Sequence, residues 1–80
     1  MKTTLYFREQ VLRKRPYLKL RWINTALKKP VYKEVQTDGR IRHFIYVAKL
    51  GKYLRVVTLS DGETVHNAFP DSKFKKDNEY

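Results

Sequence analysis

The sequence predicts an α+β domain in which one or two N-terminal helices pack on a four-stranded antiparallel sheet. Three observations predict it. Between Pro16 and Pro30, Leu18, Trp22 and Ala26 recur at i, i+4 and i+8, with Ile23 and Leu27 widening the stripe. That is the spacing of a helix with one buried side. Beyond Pro30 the apolar period changes to two, the spacing of half-buried strands. Asp-Gly then occurs twice, at Asp38-Gly39 and Asp61-Gly62, each time between strand-like runs. Asp-Gly favours a two-residue hairpin because that turn requires positive φ at its central residues.

Taken in order, "TLYFREQVL" fits either a short strand or an irregular entry into a first helix, and its periodicity does not separate the two. In "RPYLKLRWINTALKKP", Pro16 suits the first turn of a helix, where its missing N–H costs nothing. Lys28 and Lys29 then face the negative end of the helix dipole and Pro30 stops the helix. Trp22 lies on the apolar stripe, which makes it a core residue rather than a base-stacking one. "VYKEVQ" and "RIRHFIYVA" flank the first turn. With Asp38-Gly39 alone as the loop, Val35 faces Arg42 and Glu34 faces His43, an opposite-charge pair that gives His43 a structural role. "KLGK" turns the chain into "YLRVVTLS", and the second turn leads into "ETVHNAF". Pro70 ends that strand, and "DSKFKKDNEY" reads as a frayed tail that is basic and then acidic. Residues 1–80 form a single domain with an ordered core over about residues 5–74, without repeats or low-complexity tracts.

Charge narrows the class of partner. Eighteen Lys and Arg against eight Asp and Glu give +10 over 80 residues. No acid lies between Glu9 and Glu34, while Arg13, Lys14, Arg15, Lys19, Arg21, Lys28, Lys29 and Lys33 all do. An uninterrupted basic run on this scale points to a polyanion, nucleic acid or an acidic protein, with a basic amphipathic helix at a membrane surface as the minor alternative. There is no cysteine, so neither a disulfide framework nor a thiolate metal site is available, in keeping with a reducing compartment. No apolar run approaches membrane-spanning length, and "MKTTLYFREQ" lacks the apolar stretch of a signal peptide. A cytoplasmic, soluble protein with no membrane partner is expected. The two histidines and dispersed acids show no metal-ligand spacing, and no phosphate-binding glycine loop or nucleophile elbow occurs, so no metal or cofactor is expected.

The second hairpin carries the candidate chemistry. Registered on Asp61-Gly62, it sets Val57 opposite His66 and Arg55 opposite Ala68. Tyr53, Arg55, Val57, Leu59, Thr64, His66 and Ala68 then share one face, and Leu54, Val56, Val65 and Phe69 the core face. The preceding strand sets Arg40, Arg42, Phe44 and Tyr46 against Ile41, Ile45 and Val47. With the aliphatic sides turned inward, Arg40, Arg42, Tyr46, Tyr53, Arg55 and His66 converge on the open face: arginines for phosphate, rings for bases and a histidine to move protons. RNA needs little more for metal-independent cleavage, since its own 2′-hydroxyl attacks the adjacent phosphodiester. In this reading His66 is the general acid or base, with Arg55 and Arg42 stabilising the phosphorane. Tyr46 or Tyr53 stacks a base, and Arg40, Arg21, Lys28 and Lys29 follow the RNA backbone. The plain alternative for His66 is a polar residue filling a strand position. The same surface also suits a non-catalytic nucleic-acid-binding module, or a basic domain that binds an acidic protein.

The segments Ala26-Leu27-Lys28-Lys29-Pro30, Gly39-Arg40-Ile41-Arg42 and Leu54-Arg55-Val56-Val57 follow one another in an order that resembles the BrnT-like toxins, within the wider RelE/ParE group of barnase-like toxins. The resemblance covers about residues 9–74. It implies a RelE-like helix-plus-sheet fold, endoribonuclease activity toward mRNA and neutralisation by a small acidic or DNA-binding antitoxin of a type II toxin–antitoxin pair. Two departures stand out. Many relatives carry a histidine in the first helix where this chain has Glu9-Gln10, and an Arg-Gly-Ile turn where it has Arg15-Pro16-Tyr17. If that early histidine is catalytic in the relatives, this chain either uses His66 in its place or has lost the activity.

Overall fold

The structure, a computed structural model, describes residues 1–74. It is an α+β arrangement, with a helical layer on one face of a four-stranded antiparallel meander. A π-helical turn (Phe7–Val11) runs into α1 (Leu12–Lys14), and α2 spans Leu20–Lys28. The strands are β1 (Tyr32–Val35), β2 (Ile41–Val47), β3 (Lys52–Thr58) and β4 (Val65–Asp71), adjacent in sequence order.

The ambiguous "FREQVL" is helical. Phe7 and Val11 fall on one side of the turn and are both buried against the sheet, where they repay the ordering of a short segment that is marginal in isolation. The Thr4 hydroxyl accepts the Phe7 N–H at 3.1 Å and tethers the start of this segment. A parallel bridge between Thr3 and Val65 fixes it beside β4. Pro16 does not open α2 as expected. It occupies a turn closed by Leu18 N–H donating to the Arg15 carbonyl at 3.1 Å, where its fixed φ suits the second turn position equally well. α2 starts four residues later. Leu18, Ile23 and Ala26 are buried as the stripe requires, and Trp22 and Leu27 pack at the margin of the core. Ile45, Val47, Leu54, Val56, Val65 and Ala68 complete that core from the sheet.

Both hairpins depart from the expected register, for separate reasons. In the first, Gln36 donates to the Arg40 carbonyl at 2.7 Å, leaving Thr37, Asp38 and Gly39 as a three-residue loop. Asp38 Oδ1 accepts the Arg40 N–H, and Gly39 takes the positive φ of +91°. The extra loop residue moves β1 by one position, so Glu34 pairs with Arg42, Val35 with Ile41 and Lys33 with His43. The expected Glu34–His43 pair is therefore absent. His43 keeps a structural role by another route: it is buried on the helix-facing side, with Nε2 2.9 Å from Thr58 Oγ1.

The second hairpin has a four-residue loop, with Gly62 at φ +72° donating to Leu59 and Leu59 donating to Thr64. Asp61 Oδ1 accepts the Glu63 and Thr64 N–H groups and Oδ2 the Thr64 hydroxyl. These bonds, led by the Thr64 hydroxyl, hold its carboxyl pKa down to about 2. Thr58 pairs with Val65 as expected, and the ladder then slips: Val57 faces Asn67, Val56 faces Ala68 and Arg55 faces Phe69. His66 is the additional residue of the resulting bulge. Beyond it the faces of Ala68 and Phe69 are exchanged relative to expectation, Ala68 into the core and Phe69 onto the open face. β4 also continues through Pro70 to Asp71, because an edge strand can hold a proline where no neighbour needs its N–H. Asp71 to Phe74 then fold back on the sheet instead of fraying, while the rest of the expected tail, residues 75–80, lies outside the described residues.

Candidate functional site

The face of the sheet away from the helices carries Arg42, Phe44 and Tyr46 from β2, Tyr53, Arg55 and Val57 from β3, and Asn67 and Phe69 from β4. Within it lies an open pocket of about 300 Å³, lined by Tyr6, Gln36, Arg40, Arg42, Arg55, Val57, His66, Asn67 and Phe69. Four of the expected site residues, His66, Arg55, Arg42 and Arg40, thus meet around one cavity. The bulge accounts for the presence of Asn67 beside the histidine. By strict alternation from Val65 through a regular ladder, the residue after His66 would face the core, but the extra residue lets both His66 and Asn67 reach the pocket.

His66 is held from the N-terminal segment. Its Nδ1 lies 3.0 Å from Thr4 Oγ1, and its ring stacks on Tyr6 with centroids 5.0 Å apart and planes 30° apart. Partial burial, followed by the nearby Arg40 charge, lowers its pKa from the usual 6.5. The neutral imidazole is therefore the form present near neutral pH.

Each arginine has a carboxylate of its own. Arg55 donates Nη2 to Asp71 Oδ2 at 2.6 Å and Nε to the same oxygen at 3.1 Å. Its guanidinium also sits over the rings of Phe69 (5.0 Å) and Phe44 (5.6 Å), so both its position and its plane are constrained. Burial acts to raise the Asp71 pKa, but the Arg55 hydrogen bonds and charge, with the Lys73 and Phe74 N–H groups, outweigh it and keep the group ionised. Arg42 donates to Glu34 Oε1 at 3.2 Å and to Gln36 Oε1 at 3.1 Å. Arg40 is held most loosely, 3.9 Å from Asp38 with about half of each side chain exposed, so its charge is the most available to a ligand.

The remaining expected residues lie elsewhere. Tyr46 and Tyr53 meet edge-to-face at 5.2 Å beside Phe74 and line a neighbouring cavity of about 320 Å³. Arg21, Lys28 and Lys29 line a groove of about 430 Å³ with Asn24 and Thr25 on α2, in the helical layer on the other side of the sheet. They form a separate basic surface and not an extension of the pocket. Sequence reasoning missed Thr4, Tyr6, Gln36, Asn67, Phe69, Asp71 and Phe74. Of these only Asp71 left a trace, as an Asp just after the last proline and in position to accept the N–H groups that follow. Among the described residues no cluster of three His, Cys, Asp or Glu forms, and no helix is long and apolar enough to cross a membrane.

Compared with known proteins, the chain matches no family model, no curated protein and no solved structure at a significant level.

Proposed function

We propose that the open face binds single-stranded RNA and that the pocket cleaves it without metal, with the RNA's own 2′-hydroxyl attacking the adjacent phosphodiester. The observation that carries this reading is the meeting of His66 with Arg40, Arg42 and Arg55 around one concave site on a sheet face rich in aromatic rings. With Nδ1–H donated to Thr4 Oγ1, His66 Nε2 presents a lone pair, and the lowered pKa keeps it free to accept the 2′-hydroxyl proton. The attack forms the 2′-oxygen–phosphorus bond and breaks the bond from phosphorus to the 5′-oxygen of the next nucleotide, which leaves as a hydroxyl with a proton from solvent in the open pocket, giving a 2′,3′-cyclic phosphate. The arginines, Arg40 first, offset the added charge on phosphorus. Tyr46 and Tyr53 supply stacking surface along the strand. The sequence resemblance to BrnT-like toxins supports the same chemistry and adds an antitoxin as partner.

A second reading, RNA binding without cleavage, is favoured by the carboxylate on each arginine, since a compensated guanidinium stabilises a phosphorane less than a free one. The two separate on His66→Ala. Induced in a bacterial host, the wild type should arrest growth with loss of intact mRNA, and the folded variant should do neither. A folded His66→Ala that remains toxic removes His66 from the mechanism. RNA affinity that survives the substitution, with no cleavage by the wild type, leaves the binding module.

A further inference from the structure

Outside the pocket, the most constrained feature of the open face is the chain after β4. Phe74 lies flat on Phe44, with centroids 3.9 Å apart and planes 11° apart. Tyr32 and Tyr53 enclose it at 5.5 and 5.1 Å. Beneath it Phe44 is only 1% exposed, although among the described residues no helix or further strand covers this side of the sheet. One carboxylate maintains the arrangement. Asp71 Oδ1 accepts the N–H groups of Lys73 and Phe74, at 3.0 and 3.1 Å, which turns the chain back over the sheet. Its Oδ2 takes both Arg55 hydrogen bonds. Arg55 in turn lies over Phe44 and lines the pocket. A single guanidinium thus joins the phosphate-sized pocket to the covered ring.

From this arrangement we infer that Phe44 is a nucleobase-stacking site closed by Phe74, and that Asp71 is the latch, released when an RNA phosphate takes its place on Arg55. The inference rests on the RNA-binding reading above and assigns one subsite within it. Its chemistry is an exchange of like for like. A phosphate oxygen replaces a carboxylate oxygen on the same two N–H donors, and a base replaces a phenyl ring on the same ring face. Once Oδ2 is displaced, the Asp71 carboxylate is no longer anchored to the sheet through Arg55, and the turn that its Oδ1 holds can swing aside with Phe74. Closure lowers the apparent affinity by the fraction of molecules in the open form.

The test is equilibrium binding of a short single-stranded RNA, 2′-O-methylated to prevent cleavage, to the full chain and to Phe74→Ala and Asp71→Asn. Ring-proton shifts of Phe44 are followed in the same titrations. Phe74→Ala is the deciding variant, because it leaves every charge in place. It should bind roughly tenfold more tightly than wild type, the size expected when a competing stack is removed. Asp71→Asn should tighten binding as well, and RNA should shift the Phe44 ring in all three proteins. Tighter binding by Asp71→Asn alone is a charge effect and overturns the latch. So does Phe74→Ala binding that is unchanged or weaker, the latter making Phe74 itself a contact; in either case the RNA-binding reading stands. If Asp71→Asn fails to fold, Phe74→Ala alone decides. No binding by any of the three overturns this inference together with the RNA-binding reading.

Discussion

His43 and His66 stand on strands either side of β3, yet the protein uses them differently. His66 reaches the open face, where Thr4 holds the edge of its ring and Tyr6 stacks on the plane. His43 is buried with Nε2 on Thr58 and, among the described residues, no partner for Nδ1. Burial, and then the Lys33 charge, lowers its pKa below the ordinary 6.5. The folded state therefore holds this ring neutral, while the unfolded chain takes up its proton as pH falls through about 6.5. Because the unfolded state then binds more protons, the stability contributed by neutral His43 is fully present above that pH and declines below it. Urea denaturation between pH 7.5 and pH 5 should show this loss, and His43→Gln should flatten the pH dependence. An equal pH slope in the variant would assign the acid sensitivity to other groups. The orphaned Nδ1 acts in the same direction as burial, because protonation would add a second buried donor with nothing among the described residues to accept it.

At the scale of the element, the β3–β4 hairpin is where one residue decides a face. Downstream of the bulge, Ala68 is fully buried opposite Val56 and Phe69 is on the pocket side opposite Arg55. Ala68→Glu would place an unpaired carboxylate in the apolar core and should cost several kcal/mol, enough to unfold a domain of this size. Phe69→Glu should leave the fold cooperative, because that side chain stands beside Arg55 at the pocket, though it removes the ring under the guanidinium. Thermal melts of the two variants read the register directly, and the opposite order of stabilities would mean a regular ladder without the bulge. The same hairpin shows how far local signals reach. Alternation in "YLRVVTLS" set the faces of Tyr53, Arg55 and Val57 correctly, and the Asp-Gly pair located the turn. Nothing local in "ETVHNAF" marks His66 as an additional residue. The bulge is selected by Ala68 packing under the helices and by the N-terminal segment bonding to Val65 and His66, interactions that join the two ends of the chain.

Over the whole molecule, the +10 charge divides between two surfaces. On the open face each pocket arginine has a carboxylate partner, whereas Arg21, Lys28 and Lys29 on α2 line a groove without an acid among its lining residues. Long-range attraction for a polyanion should therefore come largely from the helical side and geometric recognition from the sheet side. Lys28→Glu/Lys29→Glu should weaken RNA binding and make its log–log salt dependence shallower by about 0.7 for each phosphate that is no longer neutralised. Cleavage at saturating RNA should be unchanged. A fall in the saturated rate with an unchanged salt slope would instead put these lysines in the reaction itself.

The α+β class, the helix stripe around Ile23 and Ala26, the order of the strands, the sites of both turns and the excess of positive charge were all legible in the sequence. Those properties follow from periodicity, turn chemistry and composition, which act over a few residues or over the whole chain at once. Folding in three dimensions was needed to set the three-residue first loop, the bulge at His66, the pairing of each arginine with a particular carboxylate, the Thr4 and Tyr6 contacts to the histidine, and Phe74 on Phe44. Asp-Gly is compatible with loops of two, three or four residues, and the choice among them is made where strands and helices distant in sequence compete to fill the same core. A one-residue slip within a ladder exchanges the faces of the residues beyond it, as the bulge does for Ala68 and Phe69, so which of these residues join the site is decided by packing.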